Sequence, residues 1–301
     1  MVSTTAPTVS PPVEAASGLP RWLRLVRAWP LLPMLILVPL ILVALCADVI
    51  APYDPIQPVP GAKIYAPPFW MPGGSMHALL GTDFQGRDIL SRLLFGARVS
   101  LIVGVMGTLV AGSLGAALGI LAGYLGGWVD QVIMRVTDAW LALPALVFAI
   151  FLATMLGPSF WNIIIILGLV YWTRYARVIR GEVLSLRERE FVKLAEIAGA
   201  RRWRVIRRHI LPNVLNTTMI LASLTIGVVI IAEASLSFLG VGVPPPQPAW
   251  GSMLAEARST LMAGKWWLTV WPGLCILLVV LATQLFGDWL RVRLDPQLRN
   301  L

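Results

Sequence analysis

The sequence predicts an all-α integral membrane protein built as a bundle of six transmembrane helices. Two observations indicate this fold class. Of the 301 residues, 57% are hydrophobic and only 13% are charged, and several long stretches of the chain carry no charge at all. Runs of 18 or more apolar residues are typical of helices that cross a lipid bilayer. An ordinary soluble domain is therefore excluded.

The uncharged stretches place six spans within a transmembrane domain of residues 31–289. They are predicted at about residues 31–50, 99–125, 135–156, 160–176, 213–240 and 266–287. The uncharged stretch 139–173 is too long for one span, so we divide it at Gly157, and we expect Pro144 to kink the third helix. Residues 1–30 and 290–301 are predicted tails. Residues 1–20, rich in proline, serine and threonine, are predicted to be disordered.

Basic residues are distributed unevenly between the two sides of the predicted bundle. An even number of spans places both termini on one side. That side carries 18 of the 24 lysines and arginines, most of them between Arg174 and Arg208, and the other side carries six. Because basic residues concentrate in cytoplasmic loops, we predict that both termini and the 174–208 segment are cytoplasmic. This topology accounts for the net charge of +9 without a nucleic-acid partner.

The second span contains closely spaced glycines. Gly115, Gly119 and Gly123 form two overlapping G-x-x-x-G pairs, which let a neighbouring helix approach closely. We expect that neighbour to be a helix of the same chain, and a helix of another subunit is the alternative.

The charge-rich segment 191–213 interrupts the apolar chain and predicts two short amphipathic helices. The first helix carries a narrow apolar stripe of Phe191, Leu194, Ala195 and Ala198. Gly199 ends it, because glycine adopts turn conformations that other residues resist. The second helix carries Trp203, Ile206 and Ile210 at helical spacing, with arginines on its other faces. Pro212 is expected to allow a turn into the fifth span.

A second polar motif lies in residues 77–101, on the side opposite the charge-rich segment. Ile89, Leu93 and Leu94 recur at helical spacing and predict a short amphipathic helix before the second span. Two roles are open for this external helix: it caps the bundle, or it takes a direct part in the passage of a solute.

These two motifs resemble those of a known family. The order of Gly199, Ile206 and Ile210-Leu211-Pro212 is similar to the cytoplasmic coupling loop, or EAA loop, of importer permeases of the ATP-binding-cassette class. Further motifs narrow the resemblance to the dipeptide, oligopeptide and nickel permeases. They are Leu80-Gly81-Thr82-Asp83, Gly86-Arg87-Asp88, Ser91-Arg92, Trp250-Gly251 and Met253.

The resemblance implies a type I importer permease in the bacterial cytoplasmic (inner) membrane, moving small peptides or, alternatively, nickel or another small solute. The implied partners are a second related permease, one or two ATPase subunits and an extracytoplasmic solute-binding protein. ATP and Mg belong to the ATPase subunits, and this chain is expected to bind no cofactor. Membrane lipid is the remaining partner, and the arginine-rich segment could also contact anionic lipid.

The resemblance also implies two sets of site residues. Within a coupling loop of residues 181–212, those expected to dock on the ATPase are Phe191, Lys193, Leu194, Ala195, Glu196, Ala198, Gly199, Ala200, Ile206, Ile210, Leu211 and Pro212. The external motif comprises Gly81, Thr82, Asp83, Gly86, Arg87, Asp88, Ser91 and Arg92. One departure concerns the EAA loop itself: Lys193 and Leu194 replace the family's first Glu-Ala. Glu190 and Glu196 are candidate substitutes for the lost acid.

One carboxylate lies inside a predicted span. Glu233 is in the fifth span, and an ionisable group at membrane depth indicates a functional role by default. Glu233, Ser235 and Ser237 are therefore candidates for a translocation path or gate. Counting from Asn213, Glu233 lies toward the far end of the helix, where we expect water to reach it. A structural hydrogen-bonding role is the alternative.

The absence of catalytic motifs argues against an enzyme. The chain has no G-x-x-x-x-G-K-[ST] phosphate loop, and its two histidines, His77 and His209, are predicted on opposite sides. Two functions remain: a permease subunit of an ATP-driven importer, or a self-sufficient carrier that uses Glu233 as its proton site. Carriers commonly show internal repeats, and none is visible here, so the subunit is favoured.

Overall fold

The computed structural model describes residues 30–294, and its regular structure there consists of helices with two isolated β-bridges. The helices are α1 (Leu31–Leu45), α2 (Ala47–Ile50), α3 (Ile89–Leu125), α4 (Gly127–Leu141), α5 (Ala145–Leu156), α6 (Phe160–Arg187), α7 (Glu190–Ile197), α8 (Arg202–Val205), α9 (Leu211–Phe238), α10 (Trp250–Ala257) and α11 (Trp267–Leu294). The predicted all-α class is confirmed. The predicted disordered residues 1–20 and most of both tails lie outside the described residues.

Four helices of residues 30–294 are long and apolar enough to cross a membrane. They are α3, α6, the continuous helix Arg202–Phe238 that contains α9, and α11. The pair α4–α5 adds a fifth if it is one broken span. Helix α1 has 15 residues, so it rises only about 22 Å against a hydrocarbon core of about 30 Å. The first predicted span, at residues 31–50, therefore stays a prediction, and with it the total of six.

Several helices extend beyond the predicted spans. Helix α3 begins at Ile89, so the expected external amphipathic helix is not separate but forms the first turns of the second span. Helix α6 continues past residue 176 to Arg187, and α11 reaches Leu294, so residues 290–294 are helical instead of part of a tail. Two of the charged residues that suggested these boundaries have partners in the fold: Arg92 pairs with Asp83 and Glu256, and Arg177 pairs with Asp138.

The glycines of the second span bring α3 and α6 into close contact. A Cβ atom added at Gly115 would lie 2.2 Å from the Trp172 carbonyl oxygen, and one at Gly119 would lie 2.7 Å from the Ala176 carbonyl oxygen. Such distances leave no room for a side chain. The expectation that these glycines pack within the chain is confirmed.

The third predicted span is bent instead of straight. Helices α4 and α5 meet at 94°, and Pro144 is the residue that precedes α5. The Trp140 indole nitrogen donates a hydrogen bond of 2.7 Å to the Leu169 carbonyl oxygen of α6, which fixes the end of α4 against the bundle. The predicted break at Pro144 is confirmed, and it is a right-angled bend.

Candidate functional site

Helix α7 presents much of its apolar surface outward. Phe191, Leu194 and Ile197 are 42%, 63% and 83% exposed, whereas Val192 on the opposite face is fully buried against α6 and the following helix. Of the stripe predicted from the sequence, Phe191, Leu194 and Ala198 are exposed, and Ala195 packs against the same buried cluster as Val192. Exposed apolar side chains grouped on one short helix are typical of a protein-protein contact.

Gly199 produces the break between α7 and the next helix. Its φ is +78°, in the left-handed region that favours glycine, and nothing lies within 4 Å of the position a Cβ atom would occupy. The Ala200 amide donates a hydrogen bond of 3.0 Å to the Ala195 carbonyl oxygen, which closes the turn. The predicted break is confirmed.

The second amphipathic helix does not end at Pro212. Helix α8, a π-helical segment at Ile206–Ile210 and α9 form one continuous helix from Arg202 to Phe238. The predicted turn is wrong, because a π turn widens the helix where the proline ring would otherwise meet the preceding carbonyl groups. Ile206 and Ile210 are buried there, whereas Trp203 is exposed.

The acidic and basic residues of α7 have distinct partners. The Tyr124 hydroxyl, at the end of α3, donates a hydrogen bond of 2.8 Å to Glu196 Oε1. Lys193 Nζ lies 2.8 Å from Glu188 Oε2, and this contact holds the pKa of the exposed Glu188 carboxyl below its usual value. Glu196 therefore joins α7 to the end of α3, while Lys193 pairs with a neighbouring acid.

The external motif folds into a tight loop at the start of α3. Gly81 and Gly86 have φ values of +91° and +77°. The Thr82 hydroxyl donates to the Lys63 carbonyl oxygen at 2.6 Å and accepts from the Ala66 amide at 2.8 Å. These bonds fasten the chain before the motif to the motif itself.

Asp88 caps helix α3. Its carboxylate accepts hydrogen bonds from the Ser91 amide at 2.8 Å and the Ser91 hydroxyl at 2.6 Å. Such a cap satisfies backbone N–H groups that have no partner within the helix. Burial raises the pKa of the Asp88 carboxyl above its usual value, although the bonds from Ser91 act in the opposite direction.

A buried ion cluster joins the external motif to α10. Arg87 Nε lies 2.6 Å from Asp83 Oδ2, and Arg92 also pairs with Asp83. Arg92 contacts both carboxylate oxygens of Glu256, at 2.6 and 3.0 Å. Sequence reasoning missed Glu256; because Asp88 caps α3, Asp83 is the one acid of the motif that pairs with the two arginines, and Glu256 supplies the second.

Helix α10 packs between α3 and α9 beside this cluster. The Trp250 indole nitrogen donates a hydrogen bond of 3.1 Å to the Leu93 carbonyl oxygen, and a Cβ atom at Gly251 would lie 2.3 Å from the Ala234 carbonyl oxygen. The Trp250-Gly251 pair singled out in the sequence therefore secures the external cap to two long helices.

Glu233 is completely buried, so the expectation that water reaches it is wrong. The Ser237 hydroxyl donates to Glu233 Oε1 at 2.7 Å, and the Ser100 hydroxyl of α3 donates to Oε2 at 3.2 Å. The Ser235 hydroxyl instead donates to its own helix, at the Ile231 carbonyl oxygen. Helix α10 covers this end of α9, which sequence position alone does not reveal. The contacts favour the structural alternative, and a role in the translocation path stays a prediction.

The candidate residues therefore form three separate groups: the exposed helix α7, the external ion cluster, and the Glu233 hydrogen bonds between α3 and α9. Within residues 30–294, no group of three or more His, Cys, Asp or Glu side chains could hold a metal ion.

Comparisons with known proteins agree with this arrangement. A family model described as "Binding-protein-dependent transport system inner membrane component" matches residues 115–300. The fold and this match define a membrane permease component. The chain belongs to this family of inner membrane components of binding-protein-dependent transport systems.

Three relatives extend the similarity over most of the chain. The di/tripeptide transport system permease protein DppC of Pseudomonas aeruginosa (strain UCBPP-PA14) is 40% identical over 267 residues, 89% of this chain and 88% of that protein. The dipeptide transport system permease protein DppC of Escherichia coli (strain K12) is 42% identical over 258 residues, 86% and 85% of the two chains. The glutathione transport system permease protein GsiD of Pectobacterium atrosepticum is 41% identical over 228 residues, 76% and 75% of the two chains. The resemblance to the peptide permeases is confirmed.

Proposed function

We propose that this chain is one of two permease subunits of an ATP-driven importer that moves small peptides across the cytoplasmic membrane. The observation that carries the proposal is the exposed apolar face of α7 in a chain about 40% identical to permease proteins named for dipeptides and tripeptides. A helix that leaves Phe191 and Leu194 uncovered needs a partner, and ATP-driven transport needs an ATPase that the sequence does not contain.

The coupling loop is the proposed contact with that ATPase. Phe191, Leu194 and Ile197 would enter a groove on the ATPase subunit, and Trp203 extends the apolar surface. Closure of the ATPase on ATP and Mg would then shift the bundle between inward-facing and outward-facing arrangements as a rigid body. This chain would hold neither ATP nor metal.

The remaining partners follow from the same proposal. A second, related permease completes the path, and a solute-binding protein delivers the peptide from outside. Both termini and the coupling loop face the cytoplasm, because 18 of the 24 basic residues lie on that side of the predicted topology. The external ion cluster then has a structural role: it fixes the external motif against α10.

Two alternatives are weaker on specific grounds. A proton-coupled carrier needs a carboxylate that meets water, and Glu233 is sealed between Ser100 and Ser237. Nickel or another small solute as cargo keeps the same architecture, but the three relatives described above are named for peptides or glutathione.

The test begins with a tagged chain purified from detergent-solubilised native membrane. We expect a second permease, one or two phosphate-loop ATPases and a solute-binding protein to co-purify with it. The recovered complex is then placed in liposomes, where uptake of a labelled dipeptide should require both ATP and the binding protein. Transport by the chain alone on a proton gradient would instead establish the carrier. Uptake of nickel but not of peptide would show that the transported solute is nickel.

A further inference from the structure

A polar cavity of about 770 Å³ lies between α6, α9 and α11, at the end of the bundle that carries the coupling loop. Its polar lining consists of Glu182, Arg189, Asn213, Asn216, Thr217 and Arg291. Apolar residues line the rest: Leu186 of α6, Leu294 of α11, and Ile220, Leu221 and Leu224 of α9. The volume falls within the range of about 300–1,000 Å³ that is typical of small-molecule sites.

The charged groups of this cavity are not neutralised by one another. Within residues 30–294, Glu182, Arg189 and Arg291 take part in no ion pair. Glu182 Oε2 is buried and has no hydrogen-bond partner among the described residues, although Thr217 lies beside the carboxyl group. A carboxylate that has no cationic partner in the cavity can receive a positively charged group that enters it.

Asn216 indicates that the cavity-lining face of α9 is not in contact with lipid tails. Asn216 is exposed on a helix that is apolar enough to span the membrane. An amide facing hydrocarbon would lose its hydrogen bonds, and polar residues within spans face water-filled cavities or other protein groups instead. The cavity is therefore suited to a polar occupant.

The signs of the charges select the class of that occupant. A purely anionic group, such as a lipid phosphate, would be attracted by Arg189 and Arg291 but repelled by Glu182. A simple cation would be attracted by Glu182 but repelled by Arg189 and Arg291. A molecule with an ammonium group at one end and a carboxylate at the other satisfies both, and arginine is well shaped for carboxylates.

We propose that this cavity binds the peptide in transit through its two charged termini. Glu182 receives the N-terminal ammonium group, and Arg291 with Arg189 receives the C-terminal carboxylate. The side chains of the peptide then face the apolar wall. The site therefore recognises the two termini of the peptide and accepts varied side chains. This inference rests on the proposed function, since it names residues that would contact the same cargo.

Protection of an introduced cysteine tests the site without relying on uptake. Asn216→Cys is placed in a chain whose Cys46 and Cys275 are replaced by alanine, and the complete complex is reconstituted without ATP, with the coupling-loop side accessible. A dipeptide with free termini, added as a concentration series, should slow alkylation of residue 216 by a maleimide. Alkylation at Arg135→Cys, which is exposed on α4 outside the cavity, should not change.

Charge variants then assign the two ends of the peptide. In the Asn216→Cys background, Glu182→Gln should weaken protection by the free dipeptide at least about tenfold. It should leave protection by the N-acetylated dipeptide unchanged. Arg291→Gln should remove the preference for the free dipeptide over its C-terminal amide. Arg135→Gln removes a charge outside the cavity and should alter neither preference.

The outcomes separate this inference from the proposed function. If the dipeptide never slows alkylation although the same complex imports it, the cavity is not on the path and the inference fails alone. Protection by phosphatidylglycerol but not by the dipeptide would make this a lipid site and would also overturn the inference. If the complex imports no peptide under any condition, the proposed function fails and the inference fails with it.

Discussion

The Tyr124 hydroxyl donates a hydrogen bond of 2.8 Å to Glu196 Oε1 and so joins the end of α3 to α7, the proposed coupling helix. The same α3 packs along α6 through its glycines and reaches the external ion cluster at its other end. A single helix therefore contacts both the proposed ATPase-docking element and the external cap. The following predictions test the contacts along this arrangement.

Removing the Tyr124 hydroxyl should weaken coupling while leaving the complex assembled. The bond joins a phenol to a carboxylate at a partly exposed site, so we expect its loss to cost about 1 kcal/mol and to lower peptide-stimulated ATP hydrolysis roughly fivefold in Tyr124→Phe. Arg177→Gln, which breaks only the exposed pair with Asp138 and lies outside the 181–212 loop, serves as the control and should change hydrolysis little. Equal effects in the two variants would show that the Tyr124 contact has no special role.

Gly199→Asp should uncouple ATP hydrolysis from transport. Space is open around this glycine, so the variant adds a charge and a left-handed backbone cost of about 1–2 kcal/mol at the docking surface. Gly264 provides a matched control, because its φ of +75° is nearly the same and its surroundings are equally open. Gly264→Asp should suffer a similar backbone cost without uncoupling. If uptake and ATP hydrolysis in Gly199→Asp match the wild type, the docking assignment is wrong.

Breaking the external ion cluster should destabilise the chain strongly. The side chains of Arg92 and Asp83 are almost fully buried, so Arg92→Leu removes one of the two arginines that pair with Asp83 and Glu256, at a cost of about 3–5 kcal/mol. The control is Arg177→Gln, which removes an ion pair with Asp138 that is more than half exposed and should cost at most about 1 kcal/mol. Thermal unfolding of the purified proteins in detergent measures both. Similar unfolding temperatures for the two variants would contradict a structural role of the ion cluster.

Glu233→Gln should leave ATP-driven uptake largely intact. The amide can still accept and donate hydrogen bonds with Ser100 and Ser237, whereas Glu233→Ala leaves both buried hydroxyls without this partner and should cost about 1–3 kcal/mol of stability. Ser235→Ala is the control, since that hydroxyl contacts only its own helix. Uptake assays and unfolding measurements distinguish the variants. Complete loss of uptake in a stable Glu233→Gln protein would contradict this prediction and show that transport requires the carboxylate.

Local signals in the sequence predicted the breaks in the helices well. Gly199 and Pro144 both act through the backbone, one by adopting a left-handed φ and the other by disfavouring continuation of a helix, and the structure has a turn or bend at each. The apolar stripe of α7 was visible for the same reason, because residues three and four apart share a face of a helix.

Features that depend on distant partners were not predictable. The sequence places the start of the second span at residue 99, after the charged residues, because it does not show that Arg92 has a partner in Glu256, far along the chain. Glu233 was expected near water because a position along a helix does not show that α10 covers it. The π turn before Pro212 depends on how the helix accommodates a proline, which periodicity does not reveal.

The uninterrupted helix from Arg202 to Phe238 has a mechanical consequence. At 1.5 Å per residue its 37 residues form a rod of roughly 55 Å, with Trp203 at one tip and the Glu233 hydrogen bonds near the other. Trp203 and Glu233 therefore belong to one helix with no loop between them. Helix α7 joins this helix through the Gly199 turn and also packs on it, because Val192 is buried with Val205 and Ile206. In the proposed docking, a displacement of Trp203 is thus transmitted directly to the opposite side of the bundle.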